Sequence, residues 1–278
     1  MKFGKTWRVC GLTFWMVLIP LTGANVEDRE IPFQLKEHYI VVKGALGDQQ
    51  DLNLVIDTGA TFTYVSPDIA RKLRLESDRG SSVAMGRKVK IRRVILDRVQ
   101  IGPLTFRSTE ARVARLPFVR KFRIDGLIGL NLLRHLNLII DFQSKKLILN
   151  PSEPLLNSQA FNANLPFILA RFKIGGVRAS LLLDTGAEDF MIFNTEELQW
   201  QRTGGTKYLN HVGGRARLRA IMLSDVALAG TSWEKLSAYV ADVSPKAYGG
   251  LDGIVGLTSL GVKRFQLDFP NARFGWER

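Results

Sequence analysis

The sequence has almost no cysteine: Cys10 is the single one in 278 residues. One chain therefore holds no disulfide, and a cysteine cluster for a metal is excluded. Histidine is nearly as scarce. His38, His135 and His211 lie far apart and no His-Glu-x-x-His occurs, which speaks against a zinc centre and leaves each histidine as structural or exposed. There is no Gly-x-Ser-x-Gly elbow and no glycine-rich phosphate loop ending in Lys-Ser or Lys-Thr, so no cofactor is expected. The apolar stretch Val9–Leu21 contains Gly11 and Pro20 and falls short of the ~20 residues a membrane-spanning helix needs. Lys2, Lys5 and Arg8 precede it and Thr22-Gly23-Ala24 follow it, so residues 1–24 read as a secretory signal cleaved near Ala24. The expected protein is exported, periplasmic or secreted, and begins near Asn25. Cys10 leaves with the signal, and a chain without thiols suits an oxidising compartment.

Acidic residues are also in deficit. Lys and Arg number 39 against 26 Asp and Glu, a formal charge of +13. Much of the excess lies between Arg71 and Arg123, where 16 basic residues face four acids. No nucleic-acid motif accompanies the charge, and an exported protein meets little nucleic acid. An anionic cell-envelope surface or an acidic substrate is the expected partner, beside the plain role of a basic surface in solubility.

What the sequence does hold is a repeat. Leu54-Val55-Ile56-Asp57-Thr58-Gly59-Ala60 recurs 127 residues later as Leu181-Leu182-Leu183-Asp184-Thr185-Gly186-Ala187. The same offset carries Asp125-Gly126-Leu127-Ile128-Gly129-Leu130 onto Asp252-Gly253-Ile254-Val255-Gly256-Leu257, and Asp141-Phe142 onto Asp268-Phe269. Three landmarks in register indicate a duplicated unit. Short runs of alternating polarity, such as Val89 to Leu96, and apolar clusters at Leu138–Ile140, Leu147–Leu149 and Ala220–Leu223 predict an all-β chain. Helical signals are few: Ser66 as N-cap with Pro67 at the first helical position, its counterpart at Asn194–Glu197, and short turns after Gly129 and Gly256. The expected organisation is a first half over 25–150, a proline-bearing linker over 151–159 and a second half over 160–278, with Ile31–Phe33 and Leu165–Phe167 as matching first strands.

These motifs resemble the aspartic peptidases, with Asp-Thr-Gly-Ala as the catalytic loop and Leu127-Ile128-Gly129 and Ile254-Val255-Gly256 as its structural partners. The short unit is similar to the retroviral-type (retropepsin-like) half, and the whole to exported bacterial members that carry two halves on one chain. The resemblance implies two tandem β halves related by a pseudo-two-fold axis, a monomer that is an intramolecular pseudo-dimer, and peptide or protein as substrate. If the halves pack in this way, Asp57 and Asp184 lie side by side and share one proton. Gly59 and Gly186 are expected to supply backbone angles closed to other residues. Thr58 and Thr185 are implied to cross-bond the two loops.

Ala60 and Ala187 stand where pepsin-like enzymes have serine. Without that hydroxyl the anion is less stabilised, and a pH optimum from mildly acidic to neutral is expected. A glycine-bearing flap is implied at 80–87 and 204–214, with Gly86 aligned on Gly213 and Tyr208 as a source of a flap hydroxyl. Glu188 and Asp189 occupy positions that meet substrate in retroviral-type enzymes, whereas Thr61 and Phe62 hold them in the first half. Leu130 and Leu257 replace a basic residue that commonly ties the retroviral dimer. Asp125, Asp252, Asp141 and Asp268 are expected to stabilise turns. The expected activity is endopeptidase. The alternative is a catalytically silent binding or inhibitory module on the same fold.

Overall fold

Alternation of apolar and polar residues becomes strand along most of the chain. In Leu169–Ile174 the buried Ala170, Phe172 and Ile174 alternate with exposed Arg171 and Lys173, so one face meets the core and the other meets water. A computed structural model describes residues 29–278 except 85–86, 116–118, 153, 156, 194–197, 199, 212–213 and 244–249. The expected signal segment with Cys10 and Ala24, the glycines Gly86 and Gly213 of the expected flaps, and the helix expected at Asn194–Glu197 lie outside the described residues.

The first half contains β1 (Glu30–Lys36), β2 (Tyr39–Leu46), β3 (Gln49–Ile56), β4 (Thr63–Val65), β5 (Asp78–Ala84), β6 (Arg87–Ile101), β7 (Leu104–Val113), β8 (Gly126–Ile128), β9 (Asn137–Asp141) and β10 (Lys146–Leu149). The second contains β11 (Asn157–Ala160), β12 (Leu169–Ile174), β13 (Val177–Asp184), β14 (Phe190–Phe193), β15 (Gln201–His211), β16 (Gly214–Leu228), β17 (Thr231–Ala241), β18 (Gly253–Gly256), β19 (Arg264–Asp268) and β20 (Arg273–Glu277). The 127-residue offset maps β6 onto β16 and β9 onto β19 at both ends. Helices are short. Pro67–Lys72 is capped by Ser66, whose Oγ accepts from the Ile69 N–H at 3.2 Å, and single turns at Leu130–Leu133 and Leu257–Leu260 follow Gly129 and Gly256.

Two sheets result. One runs β12-β13-β18-β14-β17-β16-β15 within the second half. The other runs β11-β20-β19-β9-β10-β1-β2-β3-β8-β4-β7-β6-β5 and joins the halves through three strands from each. The seam is the antiparallel pair β9–β19, with Asn137 opposite Asp268, Ile139 opposite Gln266 and Asp141 opposite Arg264. Exchanging the members of each pair by the offset regenerates the same set, so a pseudo-two-fold axis passes through Ile139 and Gln266. This covalent and sheet-based union takes over from the basic residue expected to tie a dimer. Leu130 and Leu257 are instead buried in the main core.

Two details differ from the expected organisation. The last residues of the expected linker, 157–159, lie in strand β11, bonded to β20. Leu165–Phe167 is a bend, and β11 takes the outer place that β1 holds in the first half. Pro32 does not keep Ile31–Phe33 out of β1, where Ile31 and Phe33 are buried; Leu165 stays exposed, so burial does not recruit the second segment into a strand.

The main apolar cluster extends through both halves. Two smaller clusters lie on the opposite side of the sheets. One holds Val55, Ile124 and Leu127 beside Ala60, and the other holds Leu182, Leu251 and Ile254 beside Ala187. Val55, Ile124, Leu127 and Ala60 correspond to Leu182, Leu251, Ile254 and Ala187 at the repeat offset, and each cluster backs one Asp-Thr-Gly-Ala loop.

Candidate active site

Each loop begins where a central strand ends. β3 lies between antiparallel β2 and parallel β8, and β13 between antiparallel β12 and parallel β18, which places both strands in the interior of their sheets. Leu54, Val55 and Ile56 are buried, as are Leu181, Leu182 and Leu183, so the apolar runs before the aspartates are sheet core. Beyond them the chain turns away and is held by the neighbouring glycine element. The Asp57 N–H donates to Ile128 O at 3.0 Å, Leu130 N–H to Ala60 O at 2.8 Å, and Gly256 N–H to Asp189 O at 2.9 Å. A side chain on Gly129 would meet Phe62 O at 2.3 Å, and one on Gly256 would meet Ala187 O at 2.2 Å, which accounts for glycine at both places.

The threonines bind the loops to one another. Thr58 Oγ1 donates to Leu183 O at 2.8 Å and accepts the Thr185 N–H at 3.0 Å. Thr185 Oγ1 donates to Ile56 O at 2.8 Å and accepts the Thr58 N–H at 3.0 Å. Both threonines are buried, and the four bonds exchange under the pseudo-two-fold axis. This is the cross-bonding that the resemblance implied.

The grip brings Asp57 and Asp184 into hydrogen-bonding contact. Asp57 Oδ1 accepts the N–H groups of Gly59 at 2.8 Å and Ala60 at 3.2 Å, and Asp184 Oδ1 accepts that of Gly186 at 2.7 Å. Burial pushes the Asp57 carboxyl well above its ordinary range, and the Asp184 charge pushes it further. Burial also raises Asp184, partly offset by the bond from Asp57 and by backbone N–H donors. Two carboxyl groups so placed hold one proton between them. Gly59 and Gly186 are needed for a reason other than backbone angle, since neither has a positive φ. A Cβ on Gly59 would lie 2.3 Å from the Asp184 carboxyl carbon, and one on Gly186 would lie 2.8 Å from that of Asp57. Each glycine makes room for the opposite aspartate.

Two residues at the dyad carried no signal in the repeat. His38, in the turn between β1 and β2, reaches across to the second loop and donates from Nε2 to Gly186 O at 3.2 Å. Its ring lies 3.9 Å from that of Tyr39, centroid to centroid. Burial lowers the His38 pKa, against the pull of Glu188 and Asp184. Burial, then the charges of Asp57 and Asp184, raise the Tyr39 hydroxyl above its ordinary range. The offset places Leu165 and Pro166 in their positions, so the surroundings of the dyad are asymmetric. A polar and aromatic Glu37-His38-Tyr39 between two strands was the available clue.

The remaining site residues divide between the halves. Glu188 and Asp189 lie beside Asp184, where Lys207 of β15 reaches both, with Nζ 3.5 Å from Glu188 and bonded to Asp189. Burial raises the Asp189 pKa and Lys207 offsets part of that rise. In the first half the corresponding Phe62 lies under the Arg112 guanidinium, 3.8 Å from the ring centre. Both candidate flap segments are antiparallel hairpins, β5–β6 and β15–β16. Lys207 and Leu218 face one another, and Leu209 and Leu218 join the cluster behind Ala187. Alternation then turns Tyr208 to the other face, where it is 53% exposed under the Arg215 guanidinium and does not look toward the dyad. Asp125 and Asp252 accept the N–H groups of Asn53 and Ser180, and Asp141 and Asp268 accept N–H groups of their own turns. Asp141 and Asp268 thus hold turns as expected, whereas Asp125 and Asp252 instead tie the segments before β8 and β18 to the distant strands β3 and β13.

A family model described as aspartyl protease matches residues 42–132 and again 170–259, once in each half and together more than half of the chain. A crystal structure of a retropepsin-like aspartic protease from Rickettsia conorii is similar at 22% identity, over 43% of this chain and 88% of that one, with a TM-score of 0.32. No curated protein matches.

Proposed function

Because the chain belongs to the aspartyl protease family, we propose that it is an endopeptidase in which Asp57 and Asp184 activate water against a peptide carbonyl. One observation carries this reading: two half-buried, mutually bonded carboxyl groups meet on a pseudo-two-fold axis, each loop held by the threonine of the other. With one proton shared, the ionised carboxylate takes a proton from water as the water oxygen bonds to the carbonyl carbon. The protonated carboxyl donates to the carbonyl oxygen, which becomes a hydroxyl of a tetrahedral intermediate. Collapse breaks the C–N bond, and the amine leaves with a proton from the dyad. The net change adds one water across the peptide bond.

Several features support finer parts of the reading. Ala60 offers Asp57 only its backbone N–H, so no hydroxyl stabilises the anion and the dyad keeps its proton to higher pH. The optimum follows in mildly acidic to neutral solution. The apolar clusters behind Ala60 and Ala187 favour apolar substrate residues on both sides of the scissile bond, with an acidic wall and Lys207 on one side alone. Both aspartates come from one chain, so the active unit is a monomer, and gel filtration at micromolar concentration returns the monomer mass. Residues 1–24 direct export and are removed near Ala24, and N-terminal sequencing of envelope-fraction protein checks this.

The function is tested with residues 25–278 incubated with a diverse peptide mixture from about pH 3 to 8, alongside Asp57→Asn and Asp184→Asn. Products are read by mass spectrometry. Cleavage by the parent and by neither variant supports the dyad. A folded parent that cleaves nothing at any pH sinks the reading in favour of a binding module on the same fold.

A further inference from the structure

The strongest charge feature of the molecule is repeated with the fold. Residues 79–93 hold six basic residues and no acid, and residues 201–219 hold five and no acid. These segments are the outer parts of the hairpins β5–β6 and β15–β16. Within them, Lys88, Lys90 and Arg92 of β6 fall at the 127-residue offset on Arg215, Arg217 and Arg219 of β16. Alternate positions of the same strand are thus basic in both halves.

Alternation assigns these side chains to a face. In the second hairpin Leu209 and Leu218 look toward the cluster behind Ala187, and Lys207 looks toward Asp189. Arg215 and Arg217, with Tyr208 opposite Arg217, therefore look away from the dyad, and all three are exposed. Arg219 turns aside to Asp242 at 2.5 Å. In the first hairpin Ile91 is buried while Lys90 and Arg92 on either side of it are exposed. Arg92 sits directly opposite Arg79, a like-charge pair that destabilises a sheet. Among the described residues, Arg79, Lys90, Arg92, Arg215 and Arg217 form no ion pair with a carboxylate. Protecting sheet edges does not explain the pattern, because the free edges are β5 and β15 while the stripes lie on β6 and β16.

The pseudo-two-fold axis that passes between the two loops also relates the hairpins, so each half carries an equivalent basic outward face. An anionic partner that engages both must be extended. We infer that the outer faces of the two hairpins dock on an anionic lipid bilayer, with Tyr208 at the headgroup level beside Arg215 and Arg217. The interaction presents the candidate groove to polypeptide at the membrane surface. It does not depend on catalysis.

Vesicle sedimentation tests this with the purified protein at low salt. Phosphatidylcholine vesicles are compared with vesicles in which phosphatidylglycerol is about a third of the lipid. Binding is expected only to the anionic vesicles and is lost at high salt. Each basic residue removed near the surface weakens binding ~fivefold, so Lys90→Gln/Arg92→Gln and Arg215→Gln/Arg217→Gln each weaken it ~25-fold. The charge-matched Arg171→Gln/Lys173→Gln, on β12 outside both hairpins, binds as the parent does, and thermal melts report that all variants are folded. Equal loss in that control overturns the assignment to the hairpins, as does parent-like binding by both hairpin variants. Binding of soluble polyglutamate without binding to anionic vesicles overturns the bilayer in favour of an acidic polypeptide.

Discussion

Replacing Thr58 by valine keeps the shape of the side chain and removes its hydroxyl. The Leu183 carbonyl then loses a donor at 2.8 Å and the Thr185 N–H loses an acceptor at 3.0 Å, beside a residue that is 1% exposed. Each buried polar group left unpaired costs about 1–3 kcal/mol, so the variant is expected to lose about 2–6 kcal/mol. Against a total stability of about 5–15 kcal/mol, this is a large fraction. The assay is urea unfolding followed by tryptophan fluorescence, with Trp233 and Trp276 buried as reporters. Thr58→Ser keeps the hydroxyl and gives up one methyl group, a loss of about 0.8 kcal/mol. Activity should fall with valine and largely survive with serine, because the hydroxyl, through its bonds to the second loop, positions Asp184 against Asp57. A valine variant within about 0.5 kcal/mol of the parent would refute the reasoning, since an exposed substitution does no more. So would a serine variant as unstable as valine, which would assign the effect to packing of the methyl.

Gly59→Ala puts a methyl where the Asp184 carboxyl stands, and is expected to abolish peptide cleavage, while Gly230→Ala, at a turn with φ +84° and no atom within 4 Å, costs stability but leaves cleavage intact; an active Gly59→Ala enzyme would contradict the opposed-loop geometry. The raised pKa values of Asp57 and Asp184 mean that the unfolded chain, with carboxyls near 3.9, releases these protons first as pH rises. Their contribution is therefore present below about pH 4 and lost as pH climbs through the folded-state values. Asp57→Asn should gain stability relative to the parent between pH 4 and 7 in urea melts, and a constant difference across that range would count against the coupled pair. Lys207→Met leaves Asp189 and Glu188 without their cation. The half-exposed pair contributes no more than about 1 kcal/mol to folding, but the ratio of kcat/KM for matched basic and acidic peptides should move toward the basic one, and an unchanged ratio would place the pair outside the substrate groove.

The two aspartates were legible because a duplicated motif is a property of linear order. So were the β-rich class, the Ser66 cap, and the turn roles of Asp141 and Asp268, each of which depends on a few neighbouring residues or on period two. The glycines of the loops were legible as necessary, yet for the wrong reason: backbone angle was expected, and the opposite carboxylate is the cause. Tyr208 illustrates a second limit. Which face of a strand a residue takes depends on register, and pairing Lys207 with Leu218 turns Tyr208 outward. His38 and Tyr39 illustrate a third, since they have no counterpart in the repeat, and His38 meets Gly186 only because one half folds its first turn over the loop of the other.

By itself, then, the sequence determined the duplication, the strand-forming pattern and the identity of the paired carboxylates, all of which are written in local order and repeat at one offset. The tertiary structure alone decided where the axis lies, why the loop glycines are needed, which faces carry the basic stripes and what surrounds the dyad. These follow from the packing of one half on the other, where burial and proximity raise the carboxyl pKa values and no neighbour along the chain announces who will be near in space.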